Sequence, residues 1–195
     1  QSIPYLDTTM VAVFPQKHLT DIAEWHRMGE AGIFPPEARM ELIEGEILHM
    51  APRGFNHAGH LRRLNTLLTF LTVNHGIVSI QSPVQLGDLS EPEPDLALLS
   101  PNTDFYSNRH PKAEDVLLLV EVSDSTLRFD REQKRRLYAT HGIIEYWIVN
   151  LIDNNLEVYR QPQDGDYLDK SVLTKADSVN LLALPDIQVG VIDIL

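Results

Sequence analysis

Cysteine is absent from the 195 residues, and its absence removes disulfides, thiolate-bound metals and thiol nucleophiles together. Nothing argues for an oxidising compartment, so cytoplasm is the expectation. Apolar runs of about 18 residues, the length that spans a bilayer, are missing as well. No charged-then-apolar leader opens the sequence, and a soluble protein without membrane partners is expected. Positive charge is scarce: 16 Lys and Arg stand against 28 Asp and Glu, a net charge of −12. Non-specific affinity for nucleic acid normally rests on surplus Lys and Arg, so phosphate contacts would have to come from local patches. Arg128, Arg131, Lys134, Arg135 and Arg136 form one such cluster, and Arg53, Arg62 and Arg63 a smaller one. Internal repeats and low-complexity tracts are absent. So are the P-loop, the dinucleotide-binding turn, the HExxH motif and the GxSxG elbow.

What is present suits a globular chain, with 43% hydrophobic and 23% charged residues. One domain over 1–195 is expected, with an N-terminal helical extension over about 1–38 and a core over about 39–195. His18 to Glu30, with Thr20 as N-cap, reads as a helix that stops before Pro35-Pro36. MELIEGEILHM, from Met40 to Met50, reads as a hairpin turning at Glu44-Gly45. From His57 onward Leu61, Leu64, Leu68 and Leu71 mark an amphipathic helix ending near Gly76. Strand-like pieces follow at Ile77 to Ser82, Pro83 to Leu86 and after Asp95. Val116 to Val122 is apolar enough to be covered on both faces of a sheet. Asp130 is placed to cap a helix running to His141, and strands are expected at Glu145 to Asn150, Leu156 to Arg160 and Tyr167 to Leu173. The pattern predicts an α/β chain, a mixed sheet flanked by helices.

Two acids stand out against this frame. In VLLLVEV, strand alternation puts Leu117, Leu119 and Glu121 on one face and Val116, Leu118, Val120 and Val122 on the other, so Glu121 occupies a position where carbon is expected. An ionised carboxylate there costs several kcal/mol unless a cation or strong donor meets it. Asp95 opens its own strand in EPEPDLALL. If the two strands are neighbours, the carboxylates repel unless a proton or divalent cation intervenes; an oxygen-only shell suits Mg²⁺ or Mn²⁺ better than zinc. Lys134 shares a helix face with Leu137, Tyr138 and His141 and could neutralise charge on a phosphoryl group. His57, four residues before Leu61, falls on the buried face of its helix at the first turn. The bland alternatives are a turn acid at Asp95, an ion pair at Glu121 and a solvent-seeking lysine at 134. His57 and His60 lie three apart, but no third zinc ligand accompanies them.

Five ordered segments, ELIEGEILHMAP, His57, EPEPDLALL, VEVSDSTLRFD and REQKRRLYATHGIIEYWIV, resemble the Uma2 (DUF820) family within the PD-(D/E)xK restriction-endonuclease-like superfamily. The likeness spans about Glu41 to Tyr159. It implies a restriction-endonuclease-like core, metal ligation by Asp95 and Glu121, Lys134 as catalytic base or charge stabiliser, and accessory roles for Glu46 and His57. One departure stands in the superfamily pattern: the position two after Glu121 is Ser123 rather than lysine, and the resemblance implies that the lysine has moved to the following helix. The expected function is an endonuclease dependent on Mg²⁺ or Mn²⁺, acting on DNA, with a homodimer possible because duplex cleavage needs two sites. The alternative is a degenerate nuclease fold serving as a non-enzymatic binding module.

Overall fold

The protein is described by a computed structural model over residues 14–195; the first part of the expected N-terminal extension, residues 1–13, lies outside the described residues. Helix α1 (Ile22–Glu30) is capped by Asp21 rather than Thr20. The Asp21 carboxylate accepts from the Glu24 N–H at 2.7 Å while the Glu24 side chain returns to the Asp21 N–H, a reciprocal capping box. None of the α1 side chains is fully buried. Strands β1 (Met40–Ile43) and β2 (Glu46–His49) pair antiparallel across Glu44 and Gly45, both at positive φ (49° and 79°), as a two-residue hairpin of the expected kind requires.

Helix α2 (Phe55–Thr72) leads into β3 (Ile77–Ile80), β4 (Leu96–Leu99) and β5 (Val116–Ser123). The segment Pro83 to Leu86 makes only isolated bridges, Gln85 with Lys112 and Leu86 with Ser90, and is no strand. A helical crossover follows, made of α3 (Leu127–Phe129), a π-turn (Asp130–Lys134) and α4 (Arg135–Thr140). Next come β6 (Glu145–Asn150), β7 (Asn155–Gln163) and β8 (Asp166–Leu173), then the short pair β9 (Ser178–Asn180) and β10 (Gln188–Gly190), which the sequence pattern had not suggested. The main sheet has six strands in the order β3-β4-β5-β6-β7-β8. Only β5 and β6 run parallel, as the long helical connection between them permits.

Each face of this sheet carries its own core. On one, Leu61, Leu64 and Leu68 of α2 pack on Leu96, Leu98, Leu118, Val120 and Val122. On the other, Leu137 and Tyr138 of α4 pack with Ala97, Leu99, Leu119, Tyr146, Ile148 and Tyr159. Leu64 and Leu68 are wholly buried, each contributing about 1.5–3 kcal/mol. The face assignment expected for β5 holds from Leu118 onward and fails before it. Pairing with β4 jumps from Leu98↔Leu118 to Leu99↔Val116, a bulge that gives Leu117 to the α2 face and Val116 to the α4 face. The basic cluster of the crossover is also spent. Arg131 pairs with Glu157, Arg135 with Asp166, Arg136 with Glu44 and Arg128 with Glu132, so it forms no free positive patch.

Candidate active site

Asp95 immediately precedes β4, and extending the register Leu96↔Val120 by one residue sets it opposite Glu121. Both side chains therefore leave the same face of the sheet, and both are 4% exposed. The Asp95 N–H donates to Glu121 Oε2 at 3.3 Å, while the Val122 N–H donates to Asp95 Oδ2 at 3.0 Å. The two acids line one narrow pocket, open to solvent, together with His57, Lys134, Glu41, Asp130, Arg39, Arg53 and Glu93.

The other side chains arrive from separate elements. His57 enters from the first turn of α2 and places Nε2 2.8 Å from Asp95 Oδ2. Arg53, just before α2, donates from Nε to Asp95 Oδ1 at 3.2 Å. Burial pushes the Asp95 carboxyl up, but the His57 and Val122 hydrogen bonds and the Arg53 charge outweigh it and hold the group below the usual carboxylate range. Lys134 ends the π-turn and is 2% exposed; its ammonium donates to Glu121 Oε1 at 2.9 Å and lies 3.2 Å from Glu41 Oε2. Tyr138, one helical turn on, donates its hydroxyl to the same Glu121 oxygen at 2.7 Å. Burial opposes the Lys134 charge, yet Glu121, Glu41 and Asp130 together raise its pKa. The lysine stays an ammonium.

Glu121 is buried against Tyr138, which packs edge-on with Tyr146, both fully buried and with ring centroids 4.9 Å apart. Desolvation raises its pKa to about 8, against the pull of Lys134 and with the help of Asp95, Asp130 and Glu41. Burial also pushes Asp130 and Glu93 up. Asp130 is not the expected helix cap. It lies inside the crossover and accepts from the Ser123 and Thr126 hydroxyls, both at 2.7 Å.

Glu46 is not brought to the pocket. It shares a hairpin face with Glu41 through the Ile43↔Glu46 pairing but stands at the turn end, exposed and paired with Lys17. Glu41, one residue into β1 and fully buried, lines the pocket instead. Alternation along MELIEGEI brings both acids to one face, and only distance from the turn separates them. Arg39, Arg53, Glu93, Asp124 and Asp130 are the other charged lining residues to which the sequence reading gave no role in the site.

The pocket carries more negative than positive charge: Glu41, Glu93, Asp95, Glu121, Asp124 and Asp130 face Arg39, Arg53 and Lys134, with His57 beside them. Among the described residues, five buried side-chain polar atoms lack a hydrogen-bond partner, and three of them, Arg39 Nε, Glu41 Oε2 and His57 Nδ1, belong to this pocket. Buried polar atoms are normally satisfied. Glu41 Oε2 has the Lys134 ammonium at 3.2 Å, and the surplus of carboxylates around it fits a hard divalent cation and its water.

Comparison with known proteins identifies the family and the fold. Residues 22–194 match the Uma2 family, described as "Putative restriction endonuclease". A crystal structure of a putative nuclease belonging to DUF820 from Anabaena variabilis shares 15% sequence identity, covering 86% of this chain and 96% of that one, with a TM-score of 0.65. The mixed sheet flanked by helices is thus the fold of that DUF820 protein. No curated protein matches the sequence. Among the described residues no helix is long and apolar enough to cross a membrane.

Proposed function

This chain belongs to the Uma2 family, and from that premise we propose that it is an endonuclease that hydrolyses phosphodiester bonds in DNA with the help of a divalent cation. The observation that carries this reading is the meeting of Asp95, Glu121 and Lys134, from two strands and a helix, in one pocket with a surplus of buried carboxylates. Asp95 and Glu121 would hold Mg²⁺ or Mn²⁺; bound there, such an ion polarises the scissile phosphate and makes nearby water a better nucleophile. His57 orients Asp95 and keeps one of its oxygens from turning away. Lys134, held as an ammonium, serves as a donor that neutralises charge building on the phosphoryl oxygens rather than as a base. Glu41 positions that ammonium. Arg39 and Arg53 offer guanidinium groups on the pocket wall, suited to phosphate. Cutting both strands of a duplex requires two such sites, which favours a homodimer.

In a nicking assay on supercoiled DNA with Mg²⁺ or Mn²⁺, Asp95→Ala and Glu121→Ala should each lower the rate by about 10²–10³-fold or more while the far-ultraviolet circular dichroism is retained. Cleavage surviving in both variants would refute the site. A binding module is the second reading. Its support is that Asp95 already has Arg53 and His57 as partners and Glu121 has Lys134. Calorimetric titration with Mn²⁺ separates the two, since a closed ion-pair network has no affinity for the ion.

A further inference from the structure

Outside the pocket, one other group of side chains has the composition of a metal centre. His26, Glu91 and His110 bring ligand atoms within 4.8 Å of one another, and among the described residues no other trio of His, Asp or Glu does so. We propose that these three residues form a separate transition-metal site, selective for Zn²⁺, that fastens α1 to the body of the protein.

The donor set is two imidazoles and one carboxylate, borderline-soft nitrogen with oxygen, which suits Zn²⁺ and contrasts with the oxygen-rich pocket around Asp95. His26 Nε2 lies 3.0 and 2.9 Å from the two Glu91 oxygens. A tetrahedral zinc shell with bonds of about 2.0–2.1 Å separates neighbouring donors by about 3.3 Å, so a small outward shift admits the ion. Glu91 is held for this task. Its main-chain N–H donates to the Leu42 carbonyl at 2.7 Å, and Trp25 donates its indole N–H to Glu91 Oε1 at 3.2 Å, the outer hydrogen bond that fixes a ligating carboxylate. The carboxylate is buried, whereas His26 and His110 reach it from the exposed side. That leaves a fourth position open to water.

The need for such a clip is visible in α1, which buries none of its side chains fully. Main-chain bonds from Ile22 to Asp88 and from Thr20 to Gly45 anchor only its start. A metal shared by residues 26, 91 and 110 would tie the middle of the helix to two distant segments, and this role is independent of the nuclease reading.

The test uses the full chain stripped with EDTA and titrated with Zn²⁺ in excess Mg²⁺, beside His26→Ala, His110→Ala and Asp95→Ala. Wild type and Asp95→Ala should each bind one Zn²⁺, with protection of α1 from limited proteolysis. Both histidine variants should bind it about tenfold or more weakly and lose that protection. Co²⁺ in place of Zn²⁺ should give the visible absorption of a tetrahedral site in wild type and not in His110→Ala, whose exposed position makes misfolding no explanation. Equal Zn²⁺ affinity in all four proteins, no Zn²⁺ binding by wild type, or loss confined to Asp95→Ala would each overturn the proposal.

Discussion

Glu121 and Glu157 lie in one cross-strand row: Glu121 pairs with Ile148 on β6, and Ile148 pairs with Glu157 on β7. They share a face of the sheet, two strands apart, and both are buried. Their surroundings differ. Glu157 faces Arg131, whose Nε donates to both carboxylate oxygens at 2.9 and 3.2 Å, and it also accepts from Asn150 at 3.0 Å and Tyr159 at 2.6 Å. Burial pushes it up, but these donors prevail and hold its pKa low. Glu121 shares a single lysine with Glu41, has Asp95 and Asp130 for neighbours, and is raised. Glu157 is thus a fastener met by an arginine and a full set of donors. Glu121, left short of positive charge, is arranged to receive a cation.

Four substitutions and one titration sharpen this contrast. Glu121→Gln should lower metal-dependent cleavage by about 10²–10³-fold, with no loss of stability in urea unfolding at neutral pH, because the cation-free carboxyl is already protonated below about 8 and the amide keeps its size. Glu157→Ala should do the reverse. It strands Arg131, Asn150 and Tyr159 and should cost about 2–4 kcal/mol in the same unfolding experiment, with the cleavage rate of the folded fraction unchanged. A large cleavage defect in Glu157→Ala would erase the distinction.

The pH dependence follows from the raised Glu121. Its folded value of about 8 exceeds the ordinary 4.5, so the cation-free folded chain keeps a proton that the unfolded chain has released. Its stabilising contribution is complete below 4.5 and is lost as pH rises through about 8. Cation binding must expel that proton. Mn²⁺ affinity should therefore rise by about tenfold per pH unit, the signature of one released proton, up to about 8 and then level. Calorimetry in buffers of different ionisation enthalpy counts that proton; an affinity flat across this range would contradict it. The smallest effects separate the two hairpin acids. Glu41→Gln should slow cleavage about tenfold by releasing Lys134, whereas Glu46→Gln should stay within about twofold of wild type, as for an exposed surface substitution.

Much of this site was legible because strand and helix periods place side chains without knowledge of the fold. Alternation put Glu121 at an apolar position, and helical spacing put Lys134 with Leu137 and Tyr138 and His57 with Leu61. What periodicity could not carry was irregularity. The bulge at Leu117 reverses two residues of β5, and the π-turn at Asp130–Lys134 makes Asp130 a buried acceptor rather than a cap; neither leaves a mark in residue types. Glu41 was overlooked for Glu46 because both fall on one hairpin face and only tertiary packing buries one of them. The arginines of the crossover looked like a phosphate-binding patch, because their partners Glu44, Glu157 and Asp166 are remote in sequence. The trio of His26, Glu91 and His110 left no local spacing to notice.

The central claim is that Asp95 and Glu121 converge on one cation. A crystal grown with Mn²⁺ and measured for anomalous scattering tests it most directly. A peak bridged by the Asp95 and Glu121 carboxylates, with Lys134 still beside Glu121, is the predicted result. Anomalous maps with no peak there, and both acids still closed on Arg53, His57 and Lys134 in saturating Mn²⁺, would contradict it.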